Sequence, residues 1–382
     1  MSEQPLLKEV IGPALVAELA GRVARVYPAF DGAAFTAQLG HELPPLPLKG
    51  RIAAVAAALR DGLPPAYPEA LAILVASLGP APEAEGPGMF TGMWYAWPIA
   101  TFVERYGLAH PAESLAAMRE ITQRASCEFA IRPFIEAHYD QTMAALRAWA
   151  RDENFHVRRL VSEGSRPRLP WGQRLRRFVA DPTPVLELLE PLRADPSEYV
   201  RRSVANNLND IAKDHPERVL DTLERWRADP APTTERLVRH ALRGMLKAGH
   251  PRALALVGAS GLPQVELAKL QIAPSTPQIG GAAELSALIV SRSSEAQRLV
   301  VDYVVQFAGA RGELSRRKVF KLRELELGPG ETAALRWGHS FRQLSTRRHY
   351  PGAHRLELQA NGEVIGAITF ELKEAQELAA GG

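Results

Sequence analysis

In the segment YVRRSVANNLNDIAKDHP, Val200, Val204, Leu208 and Ile211 fall on one stripe at helical spacing, and Ser203, Asn206, Asn207, Asp210 and Asp214 fall on a second stripe along its flank. Spacings of three and four residues gather those polar side chains, so Asp210 stands among amides and a hydroxyl on one helix surface. A carboxylate so placed can stabilise a developing positive charge or orient a water. An ordinary solvated face with Asp210 in a surface ion pair fits the same spacing. A shift of 43 residues superposes Asp152 on Asp195 and carries Glu163 onto Asn206, which puts a second acid at the matching place of a neighbouring unit.

Next to Glu163 runs GSRPRLPWGQRLRR, too rich in Gly, Pro and Arg to continue a helix. Its Trp171, flanked by Arg166, Arg168 and Arg174, can stack on a sugar or base while the guanidinium groups hold phosphates; a Trp plugging a gap between helices is the structural alternative. Upstream, SCEFAIRPFIEAHY puts Glu128 just before a helix expected to start near Pro133, where an acid also serves as a cap or dipole partner. Between Arg147 and Arg177 nine arginines stand against Asp152, Glu153 and Glu163. That local excess suits an anionic polymer, as it also suits a solvated helix face. No phosphate-binding glycine loop occurs, so no nucleotide cofactor is expected. The histidines of the helical part, His110, His138, His156, His215, His240 and His250, lie apart with no cysteine partners, so no metal site is expected. Cys127, Met89, Met93, Trp94 and Trp97 read as core packing.

These residues sit in a helical frame. Segments such as RIAAVAAALRDG, PEALAILVASLG and PAESLAAMREITQR alternate with Pro, Gly and Asp clusters, and GPAPEAEGPG from Gly79 reads as a surface loop. WARDENFHVRRLVSE, LRADPSEYVRRSVAN and, more loosely, WRADPAPTTERLVRH repeat an Arg, an Asp and a later Val-Arg pair at the roughly 40-residue period of HEAT-like repeats. After about residue 280 the period changes. RLVVDYVVQF, RKVFKLRELEL, TAALRW and HRLELQANGEVIGAITFEL alternate apolar with polar, and Asn361-Gly362 marks a two-residue type I′ hairpin. The fold expected is mainly α: a HEAT-like helical repeat solenoid over residues 1–272, the linker APSTPQIGG, and a small all-β immunoglobulin-like sandwich over residues 282–376.

The chain has 382 residues, 46 basic against 43 acidic, and no apolar run near the roughly 18 residues a membrane span requires. Its single Cys127 cannot form an intramolecular disulfide, and MSEQPLLKEV shows no charged-then-apolar signal pattern, so a cytoplasmic protein is expected. A monomer is the default.

SCEFAIRPFI, HVRRLVSEGSRPRLPWG and YVRRSVANNLNDIAKDHP resemble the signature segments of AlkC-type proteins in the AlkC/AlkD family of HEAT-like repeat DNA glycosylases, over about residues 1–270. The segment after 280 resembles the immunoglobulin-like domain that some of them append. The resemblance implies hydrolysis of the N-glycosidic bond of cationic alkylated bases, 3-methyladenine first and then 3-methylcytosine and 1-methyladenine, in duplex DNA. The lesion would stay near the stack, unlike in enzymes that flip the base out. The resemblance also implies association with the nucleoid when bound to DNA. Glu128, Glu163, Trp171 and Asp210 fall on the family's catalytic-cleft motifs. Phosphate contacts would come from Arg158, Arg159, Arg166, Arg168, Arg201 and Arg202, with Asn206 nearby, and from Arg347 and Arg348 in the basic stretch RWGHSFRQLSTRRHYPGAHR of the second domain. The competing reading is a noncatalytic repeat scaffold that binds DNA or protein.

Overall fold

The computed structural model describes residues 6–82, 92–259, 261–315, 317–344 and 347–375. Much of the GPAPEAEGPG stretch, and Met89, lie outside the described residues. The chain divides into two compact units, one ending at Ala241 and the other beginning at Leu242.

The first unit is built from α1 (Pro13–Val26), α2 (Gly32–Glu42), α3 (Leu48–Gly62), α4 (Tyr67–Ala76), α5 (Ala96–Tyr106), α6 (Pro111–Ile121) and α7 (Ile131–Ala137). It continues with α8 (Tyr139–Trp149), α9 (Phe155–Gly164), α10 (Arg176–Ala180), α11 (Thr183–Leu189), α12 (Glu198–Ile211), α13 (Pro216–Ala228) and the first part of α14 (Thr234–Lys247). Local signals start these helices. Pro opens α1, α6 and α13, and the side chains of Asp31, Asn154 and Ser197 cap α2, α9 and α12 by accepting from Ala34 N, His156 N and Val200 N.

The sequence repeat has a physical basis in the turns before α9 and α12. Asp152 Oδ1 accepts from Asn154 N at 2.9 Å, and Asp195 Oδ1 accepts from Ser197 N at 2.9 Å. Arg158 Nη1 then folds back to donate to the Asp152 carbonyl, as Arg201 Nη1 does to the Asp195 carbonyl. The aspartates also tie successive units together. Arg119 Nε donates to Asp152 Oδ2 at 2.7 Å, and Arg158 holds both Asp195 oxygens at 2.6 and 3.0 Å. The loose third copy keeps the tie, with Arg193 on Asp229, but departs in the turn, where Ala231 N donates to Thr234 Oγ1 instead of to the aspartate.

The second unit holds the end of α14, α15 (Pro251–Leu256) and a sandwich of two antiparallel sheets. Its strands are β1 (Val265–Ala273), β2 (Ala282–Ser291), β3 (Gln297–Gln306), β4 (Lys318–Leu327), β5 (Thr332–Ser340), β6 (Gly352–Ala360) and β7 (Glu363–Leu372), ordered β1-β2-β5 in one sheet and β4-β3-β6-β7 in the other. Leu285 and Ile289 of β2, Leu299 and Val301 of β3, Leu335 of β5 and Leu356 and Leu358 of β6 fill the space between the sheets. Asn361 and Gly362 adopt φ of 49° and 83° between the paired Ala360 and Glu363, which is the type I′ turn. Gly362 is required there twice over, because a Cβ would also fall 2.1 Å from Gly249 Cα.

The β domain begins earlier than residue 282. Val265–Ala273, expected in the helical part, is β1. Its register against β2 shifts between Leu267 and Lys269, and that bulge spaces Val265, Leu267, Leu270 and Ile272 by two, three and two residues. The interrupted alternation hides the strand from a period-2 reading.

His339, His349 and His354 of the basic stretch RWGHSFRQLSTRRHYPGAHR are buried around Phe307 and Phe341. Burial, aided by the nearby Arg347, pushes His339 down to about 4, and burial lowers His349 and His354 as well. A histidine depressed in the folded state adds its full stability above its unfolded value of about 6.5 and loses it as pH falls towards the folded value. For His339 alone the loss reaches about 3 kcal/mol near pH 4. Denaturant titrations of the intact protein from pH 7.5 to 4.5 are expected to show a falling midpoint for the second unit, reduced in His339→Phe; a midpoint flat across that range refutes the assignment.

Candidate functional site

Helices α9 and α12 pack side by side, and Ser203, Asn207 and Asp210 of the polar stripe form the seam. Ser203, Asn207 and Asp210 are buried, so this is not a solvated face. Asn207 Nδ2 donates to the Ser162 carbonyl at 2.8 Å, and Ser203 Oγ donates to Glu163 Oε2 at 2.5 Å. Most buried polar groups find partners, and here Asn207 Nδ2 and Ser203 Oγ find theirs on the neighbouring repeat.

Along this seam run three carboxylates separated by cations. Glu128 Oε2 accepts from Ser126 Oγ at 2.9 Å and from Arg159 Nη1 at 2.8 Å. Arg159 reaches Glu163 at 3.6 Å, and its guanidinium lies 4.6 Å from the centroid of the Tyr199 ring. Arg166 bridges Glu163 Oε1 at 2.7 Å and Asp210 Oδ2 at 2.7 Å, and Lys213 closes the row on Asp210 Oδ1 at 2.7 Å. Glu128, Glu163 and Asp210 are 4, 5 and 2% exposed, whereas the Lys213 side chain is half exposed. The row is therefore neutral as a whole and open to solvent at its lysine end. Glu128 Oε1 makes no hydrogen bond among the described residues.

The acids differ in proton affinity. Burial raises Glu128 above the usual carboxylate range against the pull of Arg159. Burial acts on Glu163 too, but Arg159 and Arg166 outweigh it and hold Glu163 below that range. Tyr199 is pushed up to about 12 by burial and stays neutral.

Trp171 lies on the segment between α9 and α10, 67% exposed, with a left-handed φ of 65°. It is not a plug between helices. Two basic side chains hold its loop. Lys49 Nζ donates to the Trp171 carbonyl. The buried Arg132 donates through Nε to the Gln173 carbonyl at 2.6 Å and through Nη1 to the Gly164 carbonyl at 2.8 Å, so it joins the end of α9 to the far side of the loop. Burial, reinforced by Arg166, lowers Arg132 to about 10. Arg132→Met keeps the bulk and removes both bonds, and is expected to cost about 3 kcal/mol in denaturant titration and to speed tryptic cleavage after Arg168 or Arg174. Unchanged stability and cleavage would show that the loop does not depend on it.

The arginine excess counted along the sequence is not an excess of free cations. Arg159 and Arg166 are buried between carboxylates, Arg158 is bidentate on Asp195, and Arg168 is bidentate on Asp214 at 2.7 and 2.6 Å. Arg201 is turned onto the carbonyls of Asp195 and Pro196, and Asn206 Oδ1 pairs with His240 Nε2 at 3.1 Å. Arg202, Arg174 and Arg176 are exposed and make no ion pair among the described residues. In the second unit the Arg347 guanidinium lies 4.6 Å from the Phe307 ring centroid, and that of Arg348 lies 5.4 Å from Tyr350. Sequence reasoning missed Lys213, Ser126, Tyr199, Arg132 and Lys49. Only Lys213 carried a local signal, three residues after Asp210 on the same helix.

Comparison with known proteins places this arrangement in a family. Residues 122–245, which contain the whole carboxylate row, match the DNA alkylation repair enzyme family, and residues 266–374 match the C-terminal Ig-like domain of the uncharacterised protein YhaZ. YhaZ of Bacillus subtilis, itself described as uncharacterised, is 40% identical over 367 residues, covering 96% of this chain and 99% of that protein. The solved structure of the Pseudomonas fluorescens alkylpurine DNA glycosylase AlkC, bound to DNA containing an abasic site analog, is 39% identical with a TM-score of 0.88, over 97% of this chain and 100% of that one. Among the described residues no helix is long and apolar enough to cross a membrane. The helical repeats that carry the row, the Ig-like domain that follows and these near full-length similarities show that the chain belongs to the AlkC-type DNA alkylation repair family.

Proposed function

We propose that the protein is a DNA glycosylase that hydrolyses the N-glycosidic bond of cationic N-alkylated bases in duplex DNA, 3-methyladenine foremost and also 3-methylcytosine and 1-methyladenine, without flipping the base. The observation that carries this reading is the row Glu128–Arg159–Glu163–Arg166–Asp210–Lys213, with the exposed Trp171 on the loop that follows α9. A surface that only gripped phosphate would gain nothing from three acids held beside it; a reaction that develops positive charge would.

Alkylation at these ring nitrogens leaves the base cationic, so no acid is required to activate the leaving group. The bond between base and C1′ breaks with its electron pair passing to the ring, which becomes neutral, and positive charge appears on C1′ and O4′. Asp210 stabilises that charge more than it stabilises the ground state and orients the water that adds to C1′. The half-exposed Lys213 is the partner that an incoming cationic nucleotide displaces from Asp210. Glu163 accepts hydrogen bonds at both oxygens and stays ionised, so its work is electrostatic: it fixes Arg159 and Arg166. Glu128, buried at the far end of the row, acts through Arg159, and the proton that the water gives up passes to solvent at the open Lys213 end. Trp171 packs against the deoxyribose or the damaged base, and a cationic ring adds about 1–2 kcal/mol of cation–π attraction where water is excluded. Arg174, Arg176 and Arg202, free of carboxylates, hold phosphates, with Arg347 and Arg348 as further contacts from the second domain.

The test is chromatographic release of free 3-methyladenine from methylated duplex DNA, wild type against Asp210→Asn. A scaffold releases no base from either protein.

A further inference from the structure

A cavity of about 280 Å³ opens against the Trp171 loop, walled by Trp97 of α5, Phe129 and Trp171, and none of Glu128, Glu163 or Asp210 lines it. The rings of Trp97 and Phe129 lie nearly parallel, 6.1 Å apart with an interplanar angle of 17°. Three charged side chains reach it: Glu104 and Arg105 at the end of α5, and Lys49 of α3, whose ammonium lies 4.8 Å from the Phe129 centroid. Arg105 is already donating to the Ala53 carbonyl at 3.1 Å. Glu104 makes no hydrogen bond among the described residues, and burial raises it above the usual carboxylate range despite Lys49 and Arg105. A half-buried carboxyl group with no hydrogen bond, facing a space walled by aromatic rings, is a recognition element waiting for a donor.

We infer that this cavity holds the excised nucleobase, a neutral planar N-alkylated heterocycle, after the glycosidic bond has broken. The inference rests on the glycosylase reading above. Its volume, near the lower limit of about 300 Å³ for small-molecule pockets, suits one heterocycle and not a nucleotide. Its charge selects the product. Two cations and one acid leave the lining net positive, which repels a cationic damaged ring, whereas cleavage returns the bonding electron pair to the ring and neutralises it. The neutral ring stacks on the aromatic walls, its N–H edge donates to Glu104, and Lys49 donates to a ring nitrogen. Lys49 also holds the Trp171 carbonyl, so the loop beside the reaction and the pocket share one anchor.

The experiment is equilibrium dialysis of free 3-methyladenine against the full chain, with single-turnover excision from methylated duplex measured in parallel. Two variants are used: Glu104→Ala, which removes the acceptor, and Ala53→Trp, which fills the cavity from its lining. Wild type is expected to bind the free base, and both variants to bind it about tenfold or more weakly while excising at the wild-type single-turnover rate and melting at the wild-type temperature. Absence of binding to wild type, or equal binding to wild type and Ala53→Trp, overturns the inference. If wild type releases no base from methylated DNA, the glycosylase reading fails, and binding of free 3-methyladenine that both variants lose would still establish the pocket.

Discussion

Asp210→Asn lowers single-turnover release of 3-methyladenine from methylated duplex DNA by about 10²-fold or more, while duplex affinity stays level or rises. The substitution keeps the size of the side chain and one oxygen for Arg166 or Lys213, and it removes the charge. A group that acts on a charge present only in the transition state is missed in the rate and not in binding. The same change removes one acid from a surface that meets phosphates, so the salt-dependent part of binding does not weaken. Measured at enzyme excess with DNA binding followed by anisotropy, a rate within about threefold of wild type would remove Asp210 from the chemistry.

Arg166→Met is expected to cost about 3–5 kcal/mol of stability, the largest structural effect of any single change in the row. Arg166 is 7% exposed and sits between Glu163 and Asp210 at 2.7 Å from each, so its removal leaves two buried carboxylates facing one another with only Arg159 and Lys213 to compensate. In the wild type Arg159 and Arg166 outweigh burial and hold Glu163 below its ordinary range. A carboxylate depressed by folding adds stability that is present above its unfolded value of about 4.3 and is lost as pH falls through the folded value. The deficit of the variant is therefore largest near neutral pH and narrows below about pH 4, as the stranded acids protonate. Urea titrations of both proteins across that range decide it. A deficit below about 1 kcal/mol at pH 7 would mean that the row is a surface network of the ordinary weak kind.

The sequence by itself determined the helical class of the first unit, the sandwich class of the second, the repeat and the type I′ hairpin. These are local matters: caps, proline at helix starts, a period of 3.6 or 2, and a dipeptide able to adopt positive φ at both positions. It also singled out Glu128, Glu163, Asp210 and Trp171 through their motifs, and the shift of 43 residues already brought α9 and α12 into register. What it could not decide is which charges are free. Arg159, Arg166, Arg158 and Arg168 read along the chain as one basic run, and only the packing of one repeat against the next commits each of them to an acid two to four dozen residues away or on the adjacent turn. The histidines of the second unit show the same limit, since a basic stretch in sequence turned its imidazoles into a phenylalanine-lined core. The start of β1 was hidden by a bulge that breaks the alternation. The cavity beside Trp171 required α3, α5 and two distant loops to meet. Helix and strand identity are written in neighbours a few residues apart, whereas ion pairing and cavities depend on contacts between residues far apart in sequence, and only the folded chain brings those together.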